Sequence, residues 1–160
     1  MQPPAVRAAP PAVRAFGDLS AGLTVAVPFV VDAAAMAAFA ALSGDTSRVH
    51  HDAGFARANG FAGPVVYGAL TVAQLSHVVG MHLPGDLGLA TSWTVHFNGA
   101  LYVDEAAELR AEVVHVSEAT RTATLRFRVV AGERLIASGM ATSKMLEVGS
   151  GLDGATGDAA

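Results

Sequence analysis

Gly68-Ala-Leu-Thr-Val-Ala-Gln-Leu-Ser-His-Val-Val-Gly80 is apolar nearly all the way round a helical wheel, broken only by Thr71, Gln74, Ser76 and His77. A surface helix confines its apolar residues to one stripe, so this pattern predicts a central helix covered by protein on every side. Immediately downstream, Pro84-Gly85-Asp86 marks a turn, and the apolar period then changes from helical to two. Trp93, Val95 and Phe97 alternate with Thr94, His96 and Asn98. Leu109, Ala111 and Val113 alternate with Arg110 and Glu112, and Ala123, Leu125, Phe127 and Val129 with Thr122, Thr124, Arg126 and Arg128. Such segments are strands of a sheet with one dry and one wet face. The last one, Arg134 to Met145, carries the small residues Ala137, Gly139 and Ala141 on one face, which predicts a close approach of the buried helix.

Upstream of the helix, Leu23 to Val31 reads as a strand, and Asp32 is placed to cap an alanine-rich helix running to about Leu42. Ser43 to Val66, interrupted by Gly44, Gly54, Gly60, Gly63 and Pro64, reads as mostly irregular with a short helix over Ala53 to Ala58. A strand, a long loop, one engulfed helix and then antiparallel strands describe an α+β layer fold, with the helix inside and the sheet around it.

A chain of 160 residues suits one hydrophobic core. Hydrophobic residues make up 52%, yet aromatics are only 6% and charged residues 15%, so the interior is packed from small side chains. Mean hydropathy is positive, at +0.42, which raises the question of a membrane. The longest uninterrupted apolar run, Ala33 to Leu42, has ten residues. A spanning helix needs roughly 20, so no membrane segment is expected. A net charge of −4 with scattered Lys and Arg argues against a nucleic-acid partner. The absence of cysteine excludes disulfides and thiolate metal sites. Residues 1–19, with Pro3-Pro4 and Pro10-Pro11, read as a disordered N-terminal extension without the apolar stretch of a signal peptide. Residues 20–147 form the domain, and residues 148–160, dominated by Gly, Ala and Asp, read as a flexible tail.

Chemistry concentrates in Phe39-Ala-Ala-Leu-Ser-Gly-Asp45-Thr-Ser-Arg-Val-His50-His51-Asp52. An acid and an imidazole five residues apart, in a turn after a helix, can converge on one water or proton. The same residues also fit a helix closed by Gly44 with solvated side chains beyond it. Further on, Phe61-Ala-Gly-Pro-Val-Val-Tyr67-Gly68 opens the central helix with a glycine. The first amides of a helix lack internal partners and lie at the positive end of its dipole. Glycine there lets a ligand carbonyl approach the backbone N–H, although it also simply permits a tight entry into the helix.

The order Leu-Ser-Gly-Asp45, His50, Phe61-x-Gly-Pro-x-Val-x-Gly68, Ser76 and Leu83-Pro-Gly resembles the MaoC-like hotdog-fold hydratases and dehydratases, which include the (R)-specific enoyl-CoA hydratases. The resemblance spans roughly residues 21 to 146 and implies a single hotdog fold, a long central helix wrapped by a curved antiparallel sheet. It also implies reversible hydration of a trans-2-enoyl thioester to the (R)-3-hydroxyacyl thioester, with coenzyme A or acyl carrier protein as the carrier. Asp45 and His50 match the family's catalytic pair, Gly68 the glycine whose amide polarises the thioester carbonyl, and Ser76 a serine that helps to position the acid. Tyr67 falls beside them as a substrate-pocket residue. No metal or redox cofactor is implied; a cytoplasmic homodimer, or a higher oligomer, is.

Two departures from the family pattern stand out. Ser47-Arg48 replaces the usual Asn-Pro between acid and histidine, which removes a bracing amide and a stiffening ring. Ser47 can still bond nearby groups, while Arg48 faces either solvent or an anionic part of the substrate. Tyr67 stands where many relatives have His, and a phenol there either narrows the acyl pocket or fills it. A thioesterase on the same fold, and an acyl-thioester-binding or scaffold subunit without turnover, are the alternative functions.

The remaining histidines read more quietly. His51 reads as a surface or pocket-rim residue, His77 as a core histidine and His96 as exposed, while Arg126 and Arg128 read as the solvated sheet face. His50-His51-Asp52 lacks the further ligands a metal-dependent phosphohydrolase needs.

Overall fold

The computed structural model describes residues 10–147. Strand β1 (Thr24–Val30) turns every second side chain inward, and Val25, Val27 and Phe29 pack against the core. Helix α1 (Ala33–Ser43) begins where Asp32 accepts a hydrogen bond from the Ala35 amide at 2.7 Å. It ends at Gly44, whose φ of 72° lets the chain turn back while its amide donates to the Ala40 carbonyl. Two short helices follow, α2 (Arg48–His51) and α3 (Ala53–Ala58). The second occupies the stretch expected to be helical. The first falls in a stretch whose sequence reads as loop, because four residues are too few to show a period.

Helix α4 (Gly68–Met81) then leads into β2 (Gly88–Phe97), β3 (Ala106–Ser117), β4 (Thr122–Ala131) and β5 (Arg134–Met145). The five strands form one antiparallel sheet in the order β1-β3-β4-β5-β2. Its dry face carries Leu109, Ala111 and Val113 from β3 and Ala123, Leu125, Phe127 and Val129 from β4, all at most 3% exposed. The α+β architecture and the alternation of these strands match the sequence pattern.

Three expectations need correction. The central helix is not covered on every side. Thr71, Leu75, Val78 and Val79 face the sheet, but Ala69, Ala73, Ser76 and His77 form an exposed stripe. One chain has a single concave sheet face, which covers one side of a helix. His77 is therefore not a core residue, and its ring lies edge-on to that of His82 at 5.2 Å.

One of the small residues of β5, Gly139, also has a different cause. Ala137 and Ala141 are fully buried. At Gly139, however, a Cβ would lie 1.8 Å from the Thr94 carbonyl oxygen and 3.0 Å from the Phe127 ring. Tight spacing against β2 and the β4 aromatic requires glycine there, not the helix.

Residues 10–19, finally, are not a loose extension. The Ala12 amide donates to the Met81 carbonyl at 2.9 Å, and the Ala12 carbonyl accepts from the Asp86 amide at 3.0 Å. Phe16 packs against the core and Leu19 is 6% exposed. Pro10 and Pro11 keep its start out of helix, and it lies as a strap across the end of α4 before a single 3-10 turn at Phe16–Asp18. The rest of the expected extension, and the C-terminal tail from residue 148, fall outside the described residues.

Candidate active site

Asp45 sits in the turn between α1 and α2, half-buried. One of its carboxylate oxygens accepts hydrogen bonds from the Ser47 hydroxyl at 2.5 Å and the Ser47 amide at 2.9 Å. These bonds hold the carboxyl below the ordinary carboxylate range, the hydroxyl contributing most, and the positive charge available to His50 and His51 adds to the effect. Ser47 thus braces the acid. Arg48 turns outward: it pairs with Asp52 at 2.9 Å and lies over the Phe55 ring at 4.4 Å. It has no place in the site.

His50 projects from α2, and its Nδ1 lies 2.7 Å from the Val65 carbonyl oxygen. A carbonyl can only accept, so Nδ1 carries the proton and Nε2 is left with a free lone pair. The Val65 amide in turn donates to the Val49 carbonyl at 3.0 Å, which fixes the two segments against each other. The imidazole therefore has one tautomer and one orientation.

Gly68 is the first residue of α4, and no side chain caps that helix start. Its amide is available to an acceptor, at the positive end of a 14-residue helix. A cavity of about 320 Å³ opens there, lined by His50, Gly68, Thr71, Phe97, Leu101 and Ile136 among others. A Cβ at position 68 would lie 2.8 Å from the tip of the Phe97 ring, so glycine is needed for the ring to rest where it does. A larger depression of about 390 Å³ on the outer sheet face is bordered by Arg110, Arg126 and Arg128. It contains no imidazole, and Arg126 there pairs with Glu112 at 2.9 Å. We read it as solvated surface.

The residues singled out in the sequence are thus only partly united. His50 and Gly68 line one cavity; Asp45 does not line it, and stands on the turn that leads into α2, near enough for its charge to interact with His50. Tyr67 is 2% exposed but does not line the cavity: its hydroxyl points back to the Asp45 carbonyl at 2.6 Å. Ser76 lies on the exposed stripe of α4, eight residues beyond Gly68. At 1.5 Å per residue that is about 12 Å along the axis from Gly68. Sequence reasoning misses Thr71, buried one turn into α4, and the Val65 carbonyl, which no side-chain pattern can reveal. Among the described residues no group of three acidic, cysteine or histidine side chains is arranged to hold a metal.

A helix held against an antiparallel sheet, with an acid, an imidazole and an open helix N-terminus at one end, defines a hotdog-fold protein of the hydratase type. Residues 21–134 match the family model described as a MaoC like domain, and the chain belongs to that family. It is 33% identical over 114 residues to the (R)-specific enoyl-CoA hydratase of Aeromonas caviae, covering 71% of this chain and 85% of that one. It is 27% identical over 130 residues to a 3-hydroxybutyryl-CoA dehydratase of Methylorubrum extorquens, covering 81% and 83% respectively. The solved structure of an (R)-hydratase from A. caviae superposes with a TM-score of 0.75 at 31% identity, covering 79% of this chain and 97% of that one.

Proposed function

We propose that this chain reversibly hydrates a trans-2-enoyl thioester to the (R)-3-hydroxyacyl thioester, with coenzyme A or acyl carrier protein as the carrier. The observation that carries the reading is the meeting, at one cavity, of a histidine with a fixed tautomer and an uncapped helix amide. Names of the relatives point the same way.

Each group has a distinct task in this reaction. Water is held between Asp45 and the free Nε2 of His50, which takes its proton as the oxygen bonds to the β-carbon and the C=C electrons move to the thioester oxygen. The Gly68 N–H holds that enolate oxygen, and the protonated His50 then returns the proton to the α-carbon, restoring the thioester carbonyl. General acid–base catalysis contributes about 10²–10⁴-fold. One oxyanion donor contributes about 2.7–4 kcal/mol. Asp45 remains ionised throughout the neutral range, since its bonds to Ser47 favour the charged form.

The test is loss of enoyl-thioester absorbance on a panel of short, medium and branched substrates. Asp45→Asn and His50→Ala are each expected to slow turnover by about 10²-fold or more. A wild-type protein that leaves the whole panel unchanged overturns the hydratase reading. Release of free thiol would instead mark a thioesterase, and tight binding without turnover a carrier or scaffold subunit.

The same reading includes a homodimer. It is supported by the exposed small-residue stripe of α4 and by β2, an edge strand that carries Leu89 at 54% exposure and Phe97 at 58%. Edge strands and exposed apolar side chains are surfaces that proteins normally cover.

A further inference from the structure

We propose that Tyr67 and His51 act together as a positioning tether that holds the catalytic turn. The inference rests on the hydratase reading and goes beyond it, by assigning work to two residues outside the cavity.

Geometry carries the argument. The Tyr67 ring is wedged between Phe39 of α1, at 4.7 Å between centroids, and His50 of α2, at 4.0 Å. Its hydroxyl reaches the backbone carbonyl of Asp45 at 2.6 Å and Nε2 of His51 at 2.5 Å. A phenol has one proton to give, and a carbonyl can only accept. Tyr67 therefore donates to Asp45, and His51 donates to the phenol oxygen from Nε2. Burial raises the phenol above its ordinary range, with the Asp45 charge adding to this, so the proton stays in place at neutral pH.

One hydroxyl thus joins the backbone of the acid to the residue next to the catalytic histidine, while the ring below it supports the histidine itself. Ser47 fixes the Asp45 carboxylate, and Tyr67 fixes the Asp45 main chain. Without the second bond, rotation about the backbone of the Gly44-Asp45 turn would carry the whole brace away from His50. Misplacing a reacting group by about 1 Å costs on the order of 10²-fold in rate, so loss of the tether should be read in turnover and not in affinity.

Tyr67→Phe keeps the ring and deletes the bonds. It is expected to lower kcat by about 10- to 100-fold with KM within about twofold of wild type on a crotonyl-type thioester. His51→Leu should lower kcat comparably, and His51→Gln, whose amide can still donate to the phenol, should recover most of it. The double variant Tyr67→Phe with His51→Leu should fall no further than the weaker single variant, as expected of two residues in one unit.

Hydrogen exchange tests the tether apart from activity. Amides of the 43–52 segment should exchange about tenfold faster in Tyr67→Phe. A kcat within about twofold of wild type overturns the proposal, as does a raised KM at constant kcat, which would make Tyr67 a substrate contact. Unchanged exchange overturns it as well. If the wild type turns over no enoyl thioester, the hydratase reading fails, while the exchange measurement still decides the tether.

Discussion

Asp45 keeps its charge because Ser47 reaches one of its oxygens with two donors, a hydroxyl and an amide. Both bonds favour the ionised form, so the carboxyl titrates below the ordinary range, and a variant without the hydroxyl must titrate closer to it. Ser47→Ala is therefore expected to move the acid limb of the kcat/KM profile to higher pH, with little change at neutral pH, where Asp45 is ionised in either protein. A pH series on the two proteins checks the direction. At this scale the sequence reveals what lies close along the chain. Asp45 and His50 are five residues apart, and Gly68 announces itself as the small residue opening a helix. Tyr67 and His51 are not legible in this way, because their meaning lies in where their side chains point, across 16 residues of chain, and neither residue type by itself favours tethering over filling. Ser76 keeps its place in the order of motifs, and it stands on the exposed stripe of α4 and not at the cavity.

Elements with strong local signals are legible. The Asp32 cap, the Gly44 stop and the alternation in β3 and β4 each have a cause confined to a few residues, and the observed elements begin and end close to where those signals fall. Spacing between elements is not legible. Gly139 illustrates this, since its lack of a side chain answers the Thr94 carbonyl and the Phe127 ring, both brought to it by strand pairing. A methyl group there meets backbone oxygen, which cannot rotate away. Gly139→Ala should destabilise the fold by about 1–3 kcal/mol, as overpacked cores do. Denaturant melts of the two proteins measure it, and an unchanged midpoint would show that β2 and β5 can separate without cost. The docked strap at residues 10–19 is likewise hidden, because backbone bonds such as those of Ala12 leave no mark on composition.

For the whole molecule, the sequence describes a helix with two apolar sides, and the chain supplies cover for one of them. The all-round apolar pattern of α4 calls for cover on both sides, but it does not say which chain provides the second. A second copy lying against both the α4 stripe and the β2 edge would cover both exposed surfaces at once. Light scattering is expected to give twice the 16.2 kDa chain mass, and a mass of one chain would overturn the dimer.

The pair of bonds joining His50 to the Val65 carbonyl and the Val65 amide to Val49 also matters beyond catalysis. It pins together the two ends of an excursion that leaves after Asp52, forms α3 and returns before Pro64. A loop with fixed ends can change length cheaply, since each doubling adds only about 0.6 kcal/mol of closure entropy. Insertions after α3, in the exposed Asn59-Gly60 turn beyond the buried Ala56, can therefore be accepted while the distance between the histidine and the helix amide stays as it is. The fold keeps a region open to variation beside one that must not move.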